Sequence, residues 1–192
     1  MKLNKLSVAC AVAVTVANLE IADVCWAMES KLKEFATRYH RGEEALEEIV
    51  YLCDHYHTEF CATIHAKPEV ITQDLVDLVA AACKYAKRTA DQNTAVGALG
   101  DLVETKPELV TNDLIADLEK VLTSSGTNGY WKIADVLSII VTKNPTWASD
   151  SRVETMVGKL VPELQSRGAG LYAASGSKLL SAVAQAKKSS GK

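Results

Sequence analysis

The sequence predicts an all-α protein built from helical hairpins stacked in series, and three observations carry that expectation. Apolar residues recur at steps of three and four in every patterned segment, and none alternates cleanly as a half-buried strand would. One phrase, Lys-Pro-Glu, two apolar residues and Thr, is written twice, 39 residues apart. Ala, Leu and Val dominate the apolar set while aromatics supply only 6% of 192 residues, which favours helix packing over a β-sandwich. An apolar share of 48% and a charged share of 23% exclude disorder, collagen-like repeats and a disulfide miniprotein. The length suits one domain. A net charge of -3 provides no overall positive field to hold nucleic acid.

Residues 1–27 read as an export signal. Lys2 and Lys5 form a basic start, Leu6 to Leu19 is a 14-residue apolar run, and Cys25-Trp26-Ala27 puts small residues at the first and third positions before a cut. A run of that length is too short for a bilayer span of roughly 20 residues, so no stable membrane span is expected after cleavage. An uncleaved anchor or a first buried helix is the other use of such a segment. Residues 28–66 follow as a helical cap and first hairpin. Ser30 caps an amphipathic helix over 29–40 carrying Leu32, Phe35, Ala36 and Tyr39, and Arg41-Gly42 break it. Glu43 onward reads as one long helix that can continue to His65, with acids crowded into its first turns as the helix dipole favours.

Residues 67–166 hold the repeats. Lys67-Pro68-Glu69-Val70-Ile71-Thr72 matches Lys106-Pro107-Glu108-Leu109-Val110-Thr111, and a looser copy opens at Asn144-Pro145, 38 residues further on. Four residues after each proline stands Thr72, Thr111 or Ser149, expected as a helix N-cap. Amphipathic helices follow, marked by Leu75, Leu78 and Val79, then Leu114, Leu118 and Val121, then Val153, Met156 and Leu160. The stretch before each proline carries a second stripe at fixed offsets: Phe60, Thr63 and Ile64; Leu99, Leu102 and Val103; Leu137, Ile140 and Val141. Ala90 to Asn93 and Ser124 to Gly129 are the expected connections. Each unit is thus a helical hairpin that cannot bury its stripe alone. Residues 167–188 read as a capping helix with Gly176 inside it, and 189–192 as a disordered tail.

With a period near 39 and two helices per unit, residues 55–165 resemble HEAT and armadillo-type repeats. The wording of the motif is similar to HEAT-like repeats in proteins of host-associated bacteria. The resemblance implies a short right-handed α-solenoid and a protein-binding scaffold. The basic residue that HEAT units often carry in the second helix is missing at the comparable positions.

Chemistry is sparse. His40, His55, His57 and His65 fall in one stretch, and Cys53, His57, Cys61 and His65 stand at successive four-residue steps. Each step drifts roughly 40° around a helix, so the four spread over about 18 Å and 120°. Only an adjacent pair could share a tetrahedral ion. Zinc binding no tighter than about micromolar is therefore expected, with no metal or cofactor assigned. Cys53, Cys61 and Cys83 would remain in the exported chain, free, paired or metal-bound. Cys53 and Cys61 are too far apart to bridge, while Cys83 could reach one of them from a neighbouring helix. Ser30-Lys31-Leu32-Lys33 and Ser175-Gly176-Ser177-Lys178 match Ser-x-x-Lys without the companion motifs of the serine β-lactamases. No phosphate loop or nucleophile elbow is present, so no enzyme is expected.

The expected function is that of an exported scaffold binding another protein, a host or envelope component. The alternative is a periplasmic metal- or redox-responsive protein using the Cys/His stripe. The expected binding surface is the outward side of the helix holding Trp131, Lys132, Asp135 and Ile139, where the neighbouring unit shows Asn93, Gly97 and Asp101. A groove beside it, over Gly97 and Ala62, would take a partner side chain. Charge is asymmetric: residues 28–66 carry -4, whereas no acid follows Glu163. The exported protein is predicted to begin at Met28; its intact mass checks this, and a full-length chain recovered from membranes would refute it.

Overall fold

The structure is a computed structural model and describes residues 25–40, 45–86, 88–124, 129–168 and 170–190. Most of the segment read as an export signal, residues 1–24 of 1–27, lies outside these residues. Among the described residues there are nine α-helices and no strand. Helix α1 covers 25–40, followed by α2 (Leu46–His55), α3 (His57–Ala66), α4 (Gln73–Tyr85), α5 (Thr89–Thr105), α6 (Asn112–Ser124), α7 (Tyr130–Lys143), α8 (Ser151–Ser166) and α9 (Leu171–Ser190). None of them is long and apolar enough to cross a membrane.

Helix α1 buries Met28, Leu32, Phe35 and Ala36 on one face. It is already helical at residue 25, so Ser30 lies within it rather than capping it, and the expected cut after Ala27 falls inside helical residues. The long helix expected through to His65 is broken at Tyr56, whose backbone sits at φ -128°, ψ 33°. An unbroken helix would carry Tyr56 on the buried face, one turn from both Leu52 and Phe60. The break turns it outward instead, to 46% exposure.

The three prolines open 3₁₀ turns, Pro68–Val70, Pro107–Leu109 and Pro145–Ser149, immediately before α4, α6 and α8. Proline suits a first turn because its missing N–H would be unpaired there anyway. Thr72 caps α4 by accepting from the Leu75 N–H at 3.3 Å, and Thr111 accepts from the Leu114 N–H at 3.2 Å. The third copy differs from expectation. Its 3₁₀ turn extends through Ser149, and the cap is Asp150, which accepts from the Arg152 and Val153 N–H groups at 2.9 and 3.3 Å. The hydrogen bond from the Arg152 side chain, helped by these N–H groups, holds the Asp150 carboxyl below its ordinary range. Ala90 to Asn93, expected as a connection, form the first turn of α5. The chain reverses earlier, and Gln92 is buried with its amide donating to the Cys83 carbonyl at 3.0 Å.

Every residue of the two predicted stripes is buried, and the buried apolar residues form one cluster from Met28 to Ala186. Helices α4, α6 and α8 pack in series, as do α3, α5 and α7. Polar contacts recur between residues 38 to 40 apart. Lys67 pairs with Glu29, Tyr85 donates to Glu47, Thr94 to Asp54, Cys61 to Asp101, and Arg152 to Asn112. Helix α9 closes the far end against α7 and α8. Gly176 permits that closure, since a Cβ there would stand 3.2 Å from the Leu164 Cβ. Helix α9 also runs into residues 189 and 190, which were expected to be tail.

Leu137 lies mid-stripe with no exposure. Leu137→Ala should cost about 2–5 kcal/mol of stability, read from urea unfolding.

Candidate functional site

A cleft of about 990 Å³ lies at the N-terminal end, among α1, α2, α3 and the last residue of α4. Buried Met28, Phe35 and Leu52 contribute apolar lining, while Tyr51, Tyr56 and Tyr85 line it as exposed residues. The break at Tyr56 makes this lining possible by releasing that ring from the core. Tyr51 stacks on His55 at 4.0 Å between ring centroids and meets Tyr56 edge-on at 6.2 Å. Three of the four exposed large aromatics among the described residues therefore line one cleft.

The charged lining is mostly acidic: Glu47, Glu48 and Glu59 against Lys31. Glu47 accepts from the Tyr85 hydroxyl at 2.7 Å, and Glu48 from Arg38 at 3.1 Å. The backbone N–H of Glu48, then Arg38, hold the Glu48 carboxyl below its ordinary range.

Trp131, Lys132, Asp135 and Ile139 are all half-buried on α7. Trp131 and Ile139 pack partly against the core. The groove expected over Gly97 is filled: Lys132 Nζ lies 3.3 Å from where a Gly97 Cβ would stand, and 4.6 Å from the Trp131 ring centroid. Ile139 reaches within 3.8 Å of the corresponding position on Gly100. Lys132 and Ile139 thus lie in the seam between α5 and α7.

The four described cysteines, Cys25, Cys53, Cys61 and Cys83, are free thiols. Burial pushes Cys53 up to about 12 and raises Cys83 further still. Cys83 lies in the core and does not join the exposed part of the Cys/His stripe. The residue that does converge on it is Asp101 of α5. Its Oδ2 accepts from Cys61 Sγ at 3.1 Å and stands 3.9 Å from His57 Nε2. Burial, then this bond to Asp101, pushes the Cys61 thiol up to about 12. The stripe itself contributes only the adjacent pair His57 and Cys61, as its spacing predicts, and α5 adds a third potential donor that the stripe did not contain. The register alone did not point to this contact: it aligns Asp101 with Ala62, one residue past Cys61, as an equivalent position rather than a neighbour.

Comparison of the chain with protein families, with curated proteins and with solved structures finds no match.

Because Trp131 is half-buried against the core, Trp131→Ala should lower stability by about 1–3 kcal/mol, measured by thermal and urea unfolding.

Proposed function

We propose that the protein is an exported helical-repeat scaffold, a short right-handed α-solenoid, that binds a basic amphipathic segment of another protein in its N-terminal cleft. The contacts recurring at 38 to 40 residues, between elements packed in series, support the solenoid reading. The gathering of exposed tyrosines around an apolar, acid-lined cleft carries the functional one. Tyrosine offers a large contact area with few rotamers to freeze, and such residues concentrate where interfaces hold their energy. The acids select a partner carrying Lys or Arg beside its apolar residues. Nothing in this role requires bond making, and the protein acts by binding rather than catalysis. The seam at Trp131 is the weaker location, since its side chains are already engaged with α5 and the core.

Fluorescence anisotropy with a labelled Leu/Lys amphipathic peptide tests this, with a Leu/Glu peptide as the opposite charge. The Leu/Lys peptide should bind with a Kd of about micromolar and weaken as salt rises. The double variant Tyr51→Ala/Tyr56→Ala should weaken it on the order of tenfold or more. Equal binding of both peptides, or loss of binding with Trp131→Ala but not with the tyrosine pair, would overturn the assignment.

A further inference from the structure

His57, Cys61 and Asp101 form the one group of three potential metal donors found among the described residues, with their ligand atoms all within 4.8 Å of one another. The group spans two hairpins. His57 and Cys61 stand one turn apart on α3, and Asp101 comes from α5. Cys61 Sγ lies 3.7 Å from the His57 ring nitrogens and 3.1 Å from Asp101 Oδ2, and His57 Nε2 lies 3.9 Å from the same oxygen.

A tetrahedral zinc ion sits about 2.3 Å from sulfur and about 2.0–2.2 Å from nitrogen and oxygen. Those bond lengths put neighbouring donors about 3.3–3.6 Å apart. The three observed edges straddle that range. Sγ is equidistant from the two ring nitrogens, so a turn of the exposed His57 ring, with shifts of a few tenths of an ångström in the other two side chains, would complete one face of such a tetrahedron. The field of Lys132 on α7 also reaches Cys61. The Lys132 amine is occupied over Gly97 and the Trp131 ring.

We infer that His57, Cys61 and Asp101 bind one zinc-class divalent cation, clamping the first hairpin to the second. Sulfur with nitrogen and a single carboxylate selects a borderline-soft ion over calcium or magnesium, which take oxygen cages. Binding exchanges the Cys61 thiol proton, released to solvent, for the metal–sulfur bond. The thiolate and carboxylate together neutralise the ion. His57 is half exposed, which leaves a fourth coordination position accessible to water. The site is separate from the cleft, and its test does not depend on peptide binding there.

Zinc chloride titrated into the full chain against a chromophoric chelator should show one ion per chain, bound tighter than about micromolar. Asp101→Asn and His57→Ala should each weaken it on the order of tenfold or more. His65→Ala, which alters the next residue along the stripe, should leave it unchanged. Cobalt(II) reads the sulfur ligand directly in the unmodified chain. A thiolate-to-metal charge-transfer band should appear and be absent in Cys61→Ser, with circular dichroism checking that each variant folds. Zinc should raise the melting temperature of the unmodified chain and leave that of Asp101→Asn nearly fixed. Zinc affinity insensitive to Asp101→Asn, a cobalt spectrum without a thiolate band, or loss of binding with His65→Ala would overturn the site.

Discussion

A helical hairpin of this chain cannot bury its own apolar stripe, and the rest of the structure depends on that constraint. Phe60 and Ile64, Leu99 and Val103, and Leu137 and Val141 stand at the same offsets before three successive prolines, and all are buried. Covering each such side chain is worth about 1.5–3 kcal/mol, but only if the adjoining unit arrives in register. The proline turns and their caps hold that register. Each ends the second helix of one unit and restarts the chain as the first helix of the next, with Thr72, Thr111 or Asp150 satisfying the new N–H groups. The helices packed in series leave two ends to be covered.

The two ends are handled differently. At the C-terminal end α9 lies against α7 and α8, and the missing side chain at Gly176 allows close approach. At the N-terminal end α1 covers the stack less completely, leaving the cleft lined by Met28, Phe35 and Leu52. The break at Tyr56 adds to it by turning out a ring that a continuous helix would have buried. The cleft thus arises at the end of the packed series, where no further helix pair covers the chain.

Stacking also explains which functional readings could be made from the chain alone. Helical periodicity divides a helix into a buried and an outward side, and on that division Trp131, Asp135 and Ile139 lie opposite the core. In a stack each helix also touches a neighbour on its flank. That flank is where Lys132 covers Gly97 and Ile139 approaches Gly100. The same geometry hid Asp101. Comparing units position by position shows which residues are equivalent, whereas the Cys61–Asp101 contact joins one unit's residue to the next unit's neighbour in space.

The linear order of residues determined the helical class, the two apolar stripes and the proline-marked turns, because these depend on contacts within a few residues along the chain. It also marked Thr72 and Thr111 as caps, since a cap reaches only three residues ahead. The break at Tyr56, the Asp150 cap, the burial of Gln92 and the meeting of His57, Cys61 and Asp101 were decided by tertiary structure. Each results from competition or contact between elements, and such contacts leave no mark at a fixed local spacing. The cleft belongs with them: its aromatic lining brings together Phe35, Tyr51, Tyr56 and Tyr85 from four helices or their ends, and only packing puts them side by side.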